Sequence, residues 1–391
     1  MKGKSPVVLE VVPSANRLLR GNALSGLALD LQHDLNRRVI GQPAAVDAVV
    51  SLFQQVRFGL RPPGLPAGTF LFTGPTGVGK THLPKQLSHL VNGGTVQGDH
   101  LLMVDCASMQ HEPDVGKLIG AGAGYVGHET SVPLLCAATF KKLLSHSGIG
   151  IIVFDEVDKA CKEVWTLLLS ALGEGNLTNG NGESLDFSQM LVFLTSNFGS
   201  DEIEKLVRGK MGLYQPSKDV LERDIRHAGE AAVRRKFTPE FRNRLDYEIT
   251  FHPLTEEHLE TILLLQLAQL QDRITRARLK TPAFVISTSE QARSAILKQV
   301  SDRKEMGARQ VIRAVEKSIV VRLSNLLGGD EIKAGDLVLI DHDAEGFSFR
   351  REITGMNREE MNACIRLCYA RSACCPTAQQ IRKKLKSRVA A

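Results

Sequence analysis

Thr73–Gly74–Pro75–Thr76–Gly77–Val78–Gly79–Lys80–Thr81 decides the fold. From Gly74 to Thr81 it fits the phosphate-loop pattern G-x-x-x-x-G-K-[ST] at every fixed position. Phe70–Leu71–Phe72 before it reads as a short buried strand, and His82 to Leu90 after it as a helix. The glycines let backbone N–H groups converge on phosphate without Cβ obstruction. A helix starting near Gly79 turns its positive end to the same anion. Lys80 supplies a point charge, and the Thr81 hydroxyl is suited to holding Mg²⁺. The bland alternative, a glycine-rich turn with a chance lysine, fails on spacing and on the flanking strand. Pro84 is a local oddity, because proline early in this helix removes an N–H and predicts a kink.

Composition bounds the rest. At 391 residues the chain suggests two or three packed units. Hydrophobic content of 43% and charged content of 24% are those of an ordinary globular protein with a sizeable core. The net charge of +6 is too mild to argue for nucleic acid. Much of it sits in the tail, at Arg382, Lys383, Lys384, Lys386 and Arg388. No apolar run reaches the ~18–20 residues that span a bilayer. Glu10 interrupts the only leader-like stretch, so the expected compartment is the cytoplasm. Seven cysteines, an odd number, read as free thiols. Cys364, Cys368, Cys374 and Cys375 lack the paired C-x-x-C arms of a zinc site.

Outward from the loop, strands alternate with helices. Leu101 to Asp105, Gly150 to Asp155 and Met190 to Thr195 are apolar enough to be buried on both faces. That alternation predicts an α/β fold with a parallel, doubly wound sheet. Helices are expected over 134–144, 164–172 and much of 201–235. Gly120 to Gly127 is too rich in glycine for a helix or central strand. Near Pro253 the texture changes to a long leucine-rich helix capped by Thr255, a capping box starting at Ser287, a helix opening at Met306–Gly307–Ala308–Arg309, and a small β element at 336–340 and 347–349. The expected organisation is an N-terminal extension (1–36), a large nucleotide-binding domain (37–253), a smaller α/β domain (254–351) and a basic, cysteine-containing tail (352–391).

Two acids end the strand before Val157. Asp155 can hold Mg²⁺, and Glu156 beside it can polarise an attacking water, which points to hydrolysis. Asn197 ends another strand and can reach the same phosphate, although alone it reads as a turn-initiating asparagine.

With these residues in place the chain resembles the Clp-type AAA+ unfoldases, specifically the second ATPase module of ClpA, ClpB and ClpC. The likeness runs from about Asn36 to Ile340. It is carried by Arg38–Val39–Ile40–Gly41–Gln42, Gly74 to Thr81, Gly124–Tyr125–Val126–Gly127, Asp155 to Ala160, Thr195–Ser196–Asn197, Phe237 to Asp246 and Gly307–Ala308–Arg309. The resemblance implies an AAA+ P-loop NTPase with ATP and Mg²⁺. Val39 and Ile40 would line the base pocket, with Gly74, Pro75, Thr76, Gly77, Val78, Gly79, Lys80 and Thr81 around the phosphates. Asn197 and Arg309 would be the two sensors. Arg244 would be the arginine finger, with Arg242 its competitor, and its use by a neighbouring subunit implies a hexameric ring. Tyr125, between Gly124 and Val126–Gly127, would grip polypeptide in the pore. Met211–Gly212–Leu213 sits where some relatives dock a peptidase ring.

The resemblance thus implies an ATP-hydrolysing unfoldase or remodelling chaperone that threads polypeptide through a ring. A dedicated assembly or disassembly ATPase of a secretion or conjugation machine is the alternative, and a nucleic-acid motor or loader ranks below both. The stretch before the module is short, so substrate choice is expected from the extension, the tail or an adaptor. His82 and Pro84 depart from the family pattern and put full ATPase activity in question.

Overall fold

The computed structural model describes residues 24–92, 100–120, 133–209, 218–276, 283–301 and 307–368. The expected pore loop Gly124 to Gly127, the docking tripeptide Met211 to Leu213 and the tail cysteines Cys374 and Cys375 lie outside the described residues. The elements in chain order are α1 (Gly26–Arg38), α2 (Pro43–Arg57), β1 (Gly68–Thr73), α3 (His82–Val91), β2 (Leu101–Asp105), α4 (Gly116–Ile119), α5 (Ala137–Leu144), β3 (Gly150–Asp155), α6 (Lys162–Glu174), β4 (Asn176–Thr178), β5 (Ser184–Asp186), β6 (Met190–Thr195), α7 (Ser200–Gly209), α8 (Lys218–Lys236), α9 (Pro239–Arg242) and β7 (Tyr247–Thr250). After these come α10 (Glu256–Arg276), β8 (Val285–Thr288), α11 (Glu290–Ser301), α12 (Ala308–Val315), α13 (Val321–Gly328), β9 (Leu337–Asp343), β10 (Gly346–Glu352) and α14 (Arg358–Cys368).

The large sheet has the order β2-β3-β6-β1-β7, and every pairing in it is parallel. β1, β3 and β6 are apolar along nearly their whole length because helices cover both faces. The order reverses beside β1, so ligand-binding loops gather at the carboxyl ends of β1, β3 and β6. Beneath the phosphate loop an aromatic row crosses three strands: Phe70 stacks on Phe193 at 4.8 Å and on Tyr247 at 5.4 Å. Both contacts follow the register, which sets Phe70 opposite each partner. One face of the sheet shares a continuous core with the small domain, from Leu35 and Val46 through Phe72 and Phe251 to Leu263 and Ile286. The other face packs on α5, α6 and the segment up to Phe241.

Several expectations change. α1 buries Leu31 and Leu35 in the same core as α2 and α3, so residues from 26 belong to the large unit and not to an extension. The helix expected from Leu134 begins at Ala137, with the residues just before it bent. β7 extends the sheet beyond β1, and β8 joins β9 and β10 in a second, three-stranded sheet. Ser287 lies in β8. The next residue but one does the capping: Ser289 Oγ accepts from Ala292 N at 3.0 Å. Within the expected tail, α14 buries Met361 and Cys364 against Val285 and Leu337, so 358–368 is a packed helix.

Pro84 is buried at the third position of α3. Gly79 O accepts from both His82 N and Leu83 N at 3.0 Å, which closes the first turn without the N–H that proline lacks. Pro84 therefore lies within the first turn of α3, where a missing N–H costs the helix least.

Candidate nucleotide-hydrolysis site

The phosphate loop needs glycine at Gly74 for two reasons. Its φ is 117°, and a Cβ there would lie 2.5 Å from Phe251 O. The loop therefore folds tightly against the strand that leads to the small domain. Lys80 is 8% exposed, and its ammonium donates to Gly74 O, to Pro75 O at 2.7 Å and to Asn197 Oδ1 at 2.9 Å. Asn197 is thus brought from just past the end of β6 onto the loop lysine. Thr81 Oγ1 donates to Asp155 Oδ1 at 2.7 Å, joining the phosphate loop to β3. Glu156 follows in a left-handed conformation, φ 54°, and its carboxylate pairs with Lys159.

These residues face a cleft of about 380 Å³. Its lining includes Val39 and Ile40, Thr76 to Thr81 of the phosphate loop, and Leu254, Ile262 and Arg309 of the small domain. The small domain also touches the loop directly, since Ala308 N donates to Gly77 O at 2.9 Å. Gln42 is a residue that sequence reading quoted without a role. Its buried amide donates to His252 O at 2.9 Å and Val78 O at 3.4 Å and accepts from His252 N at 3.1 Å, tying the loop to the interdomain connection.

The two candidate arginines have different surroundings. Thr238 caps α9 by accepting from Phe241 N, and Pro239 starts it. Phe237 and Phe241 wedge against Trp165 at 4.9 and 5.0 Å. This fixes the segment that follows. Arg242 makes a two-pronged pair with Glu248 of β7, at 2.8 and 3.1 Å. Arg244 is exposed, and among the described residues no carboxylate pairs with it. Its guanidinium lies over Gly173, where a Cβ would come within 2.8 Å of Arg244 Cζ. The backbone around it is held from β1, because Thr69 Oγ1 donates to Arg244 O at 2.9 Å and Asp246 pairs with Arg61 at 2.8 Å.

Burial pushes Lys80 down to about 8, while Asp158 and Asp155 pull it upward and Arg309 opposes them. Only the ammonium attracts phosphate, so affinity for a nucleotide falls as the free protein loses that proton. At pH 9 about a tenth of the lysine remains charged, and the Kd for ADP in EDTA rises about tenfold from its pH 7 value. Fluorescent-ADP titrations at both pH values check this, with Lys80→Arg as the control that keeps its charge. Equal pH dependence in the two proteins would contradict it.

A parallel sheet with its phosphate loop beside a strand ending in Asp–Glu and another ending in asparagine, closed by a small domain, defines an AAA+ P-loop NTPase. Residues 65–248 match the family described as "AAA domain (Cdc48 subfamily)", and residues 254–340 match the "C-terminal, D2-small domain, of ClpB protein". The chain is 34% identical over 322 residues to the ATP-dependent Clp protease ATP-binding subunit ClpC of Staphylococcus aureus (strain USA300), covering 82% of this chain and 37% of that protein. It is 33% identical over the same length to ClpC of Staphylococcus epidermidis, with the same coverage. A closed-state cryo-EM reconstruction of Hsp104 with ATPγS and FITC-casein aligns with a TM-score of 0.65 at 27% identity, over 83% of this chain and 51% of that one. The chain belongs to the Clp-type AAA+ ATPases and corresponds to their second ATPase module. It spans about a third of the length of the ClpC relatives it matches. Among the described residues no helix is long and apolar enough to cross a membrane.

Proposed function

We propose that the protein hydrolyses ATP in a homo-hexameric ring and uses the energy to unfold or remodel polypeptides in the cytoplasm. The observation that carries this reading is that two hydrogen-bonded pairs, Lys80 with Asn197 and Thr81 with Asp155, line one cleft. The cleft is shared by both domains, so nucleotide state and domain angle are coupled. Base would lie against Val39 and Ile40. Phosphates would lie on the Gly74 to Lys80 backbone, with Arg309 reaching them from α12.

Hydroxyl and carboxylate oxygens are the donors Mg²⁺ takes, and Thr81 and Asp155 bring one of each together. When bound, the ion would neutralise phosphate charge. Glu156 takes the proton of the attacking water, and Asn197 orients the phosphate end. Arg244, exposed and with no carboxylate paired to it among the described residues, would serve the neighbouring subunit's site. Arg242 is committed to Glu248.

The relatives bear on the substrate. The ClpC proteins are named as ATP-binding subunits of a protease, and the Hsp104 reconstruction contains casein, a polypeptide. Both support protein remodelling over the assembly-ATPase alternative. Tyr125 would supply the grip in the pore, an apolar ring with a polar tip that tolerates many sequences. Met211 to Leu213 would dock a peptidase ring, which binding assays with and without those three residues test, and an adaptor would deliver substrate.

Unfolded casein is expected to stimulate ATP turnover, and single-stranded DNA is not. Tyr125→Ala is expected to keep basal turnover while losing unfolding of a tagged fluorescent substrate. Stimulation by DNA alone, or unfolding that survives the loss of Tyr125, would overturn the reading.

A further inference from the structure

We infer that Thr195 is a positioning residue for the hydrolytic base, acting through its hydroxyl. Its inference rests on the ATP-hydrolysing reading above. Thr195 ends β6, is 1% exposed, and lies opposite Phe72 of β1 in the sheet. What distinguishes threonine there is a hydrogen-bond relay. Glu156 N donates to Thr195 Oγ1 at 3.1 Å, and Thr195 Oγ1 donates its single proton to Asp155 Oδ1. The direction is forced, because the backbone N–H can only donate and an ionised carboxylate can only accept.

Asp155 Oδ1 also accepts from Thr81 Oγ1, so one oxygen takes two hydroxyl protons, one from the phosphate loop and one from β6. The relay does more for Glu156. β3 and β6 run in register only as far as Phe154 opposite Leu194. Asp155 still pairs with Asp105 of β2, and after it the chain leaves the sheet as Glu156 enters a left-handed conformation, which side-chain-bearing residues rarely hold without support. The Thr195 hydroxyl supplies the missing acceptor for the Glu156 N–H. It thereby fixes the turn that sends Asp155 toward the loop and Glu156 toward the cleft. Lys159 closes the far side of the same turn, its backbone N–H donating to Glu156 O at 2.9 Å while its ammonium pairs with the Glu156 carboxylate, but the Glu156 N–H is left to Thr195.

Valine keeps the shape of threonine and removes the relay, and serine keeps the relay and removes a methyl. In the full chain Thr195→Val is expected to lower kcat for ATP about 10–100-fold, the range seen when an orienting partner is lost. Its KM, and its Kd for fluorescent ADP in EDTA, are expected to stay within about threefold of wild type. Thr195→Ser is expected to keep kcat. Amide hydrogen exchange at Glu156 is expected to accelerate in the valine variant and not in the serine variant.

A valine variant with wild-type kcat, or a serine variant as impaired as valine, would overturn the inference. So would unchanged exchange at Glu156, or a loss of nucleotide affinity as large as the loss of kcat. Should valine prevent folding, Thr195→Ala is judged by the same readouts. A wild-type protein that turns over no ATP would defeat the parent reading, while exchange at Glu156 would still judge the relay.

Discussion

Glu156→Gln is expected to arrest ATP turnover while leaving nucleotide bound. The amide has nearly the same shape as the carboxylate but cannot take a proton from water, and loss of a general base costs about 10²–10⁴-fold. In the proposed site binding would be carried by other groups, Lys80, the loop backbone and Val39 with Ile40, none of which involves the Glu156 side chain. The substitution also releases Lys159, whose ammonium pairs with that carboxylate in the free protein. Lys159 is largely in solvent, so the release has little effect on the fold. Single-turnover hydrolysis with fluorescent-ATP binding in parallel measures both effects, and size-exclusion chromatography with ATP reports whether the trapped state is a ring. Turnover within about tenfold of wild type would remove Glu156 from the base role.

The second large effect is expected at Arg244. Arg244→Ala lowers turnover by about 10³–10⁵-fold if its charge stabilises the transition state in the neighbouring subunit. Nucleotide affinity of the isolated subunit changes little, because the Arg244 guanidinium lies against Gly173 of α6 and does not line its own cleft. Mixing supplies the sharper test. Rings assembled from Arg244→Ala and Glu156→Gln subunits contain sites with an intact base facing an intact arginine, so activity returns on mixing two inactive proteins. Failure of mixing to restore turnover would exclude action between subunits.

Arg242→Ala is the informative contrast. Removing it leaves Glu248 of β7 without its two-pronged partner, so the variant loses stability before it loses chemistry. The geometry thus separates two arginines that lie in one motif and that sequence alone leaves in competition.

Much of the large domain was legible because its strands are extreme. Gly150 to Asp155 and Met190 to Thr195 are apolar on both faces, which only a covered parallel sheet requires. β7 escaped because an edge strand that is half-buried along its length carries no such run. β8 escaped because its four residues read as the lead-in to a helix, until pairing with β9 buries all of them. α1 and α14 looked peripheral because they lie outside the motif-bearing segments, and only the fold buries α1 against α2 and α3 and α14 against Val285 and Leu337. The phosphate loop is legible residue by residue because its demands are local, whereas nothing in the sequence around Gln42 assigns it a task. A buried amide among backbone groups has no signature in sequence, since its three partners come from Val78 and His252.

By itself the sequence determined the chemistry available to this protein: a loop that can cradle phosphate, an acid pair at a strand end, an asparagine at another, and two arginines. It could do so because those demands are local, set by backbone freedom, spacing and residue type. Tertiary structure decided which groups meet. It set Asn197 on Lys80, placed Ala308 on Gly77, paired Arg242 with Glu248 while leaving Arg244 exposed, and routed the Glu156 N–H through Thr195 to Asp155. Each of these contacts joins residues from different elements, and its partner is chosen by strand order, register and domain packing.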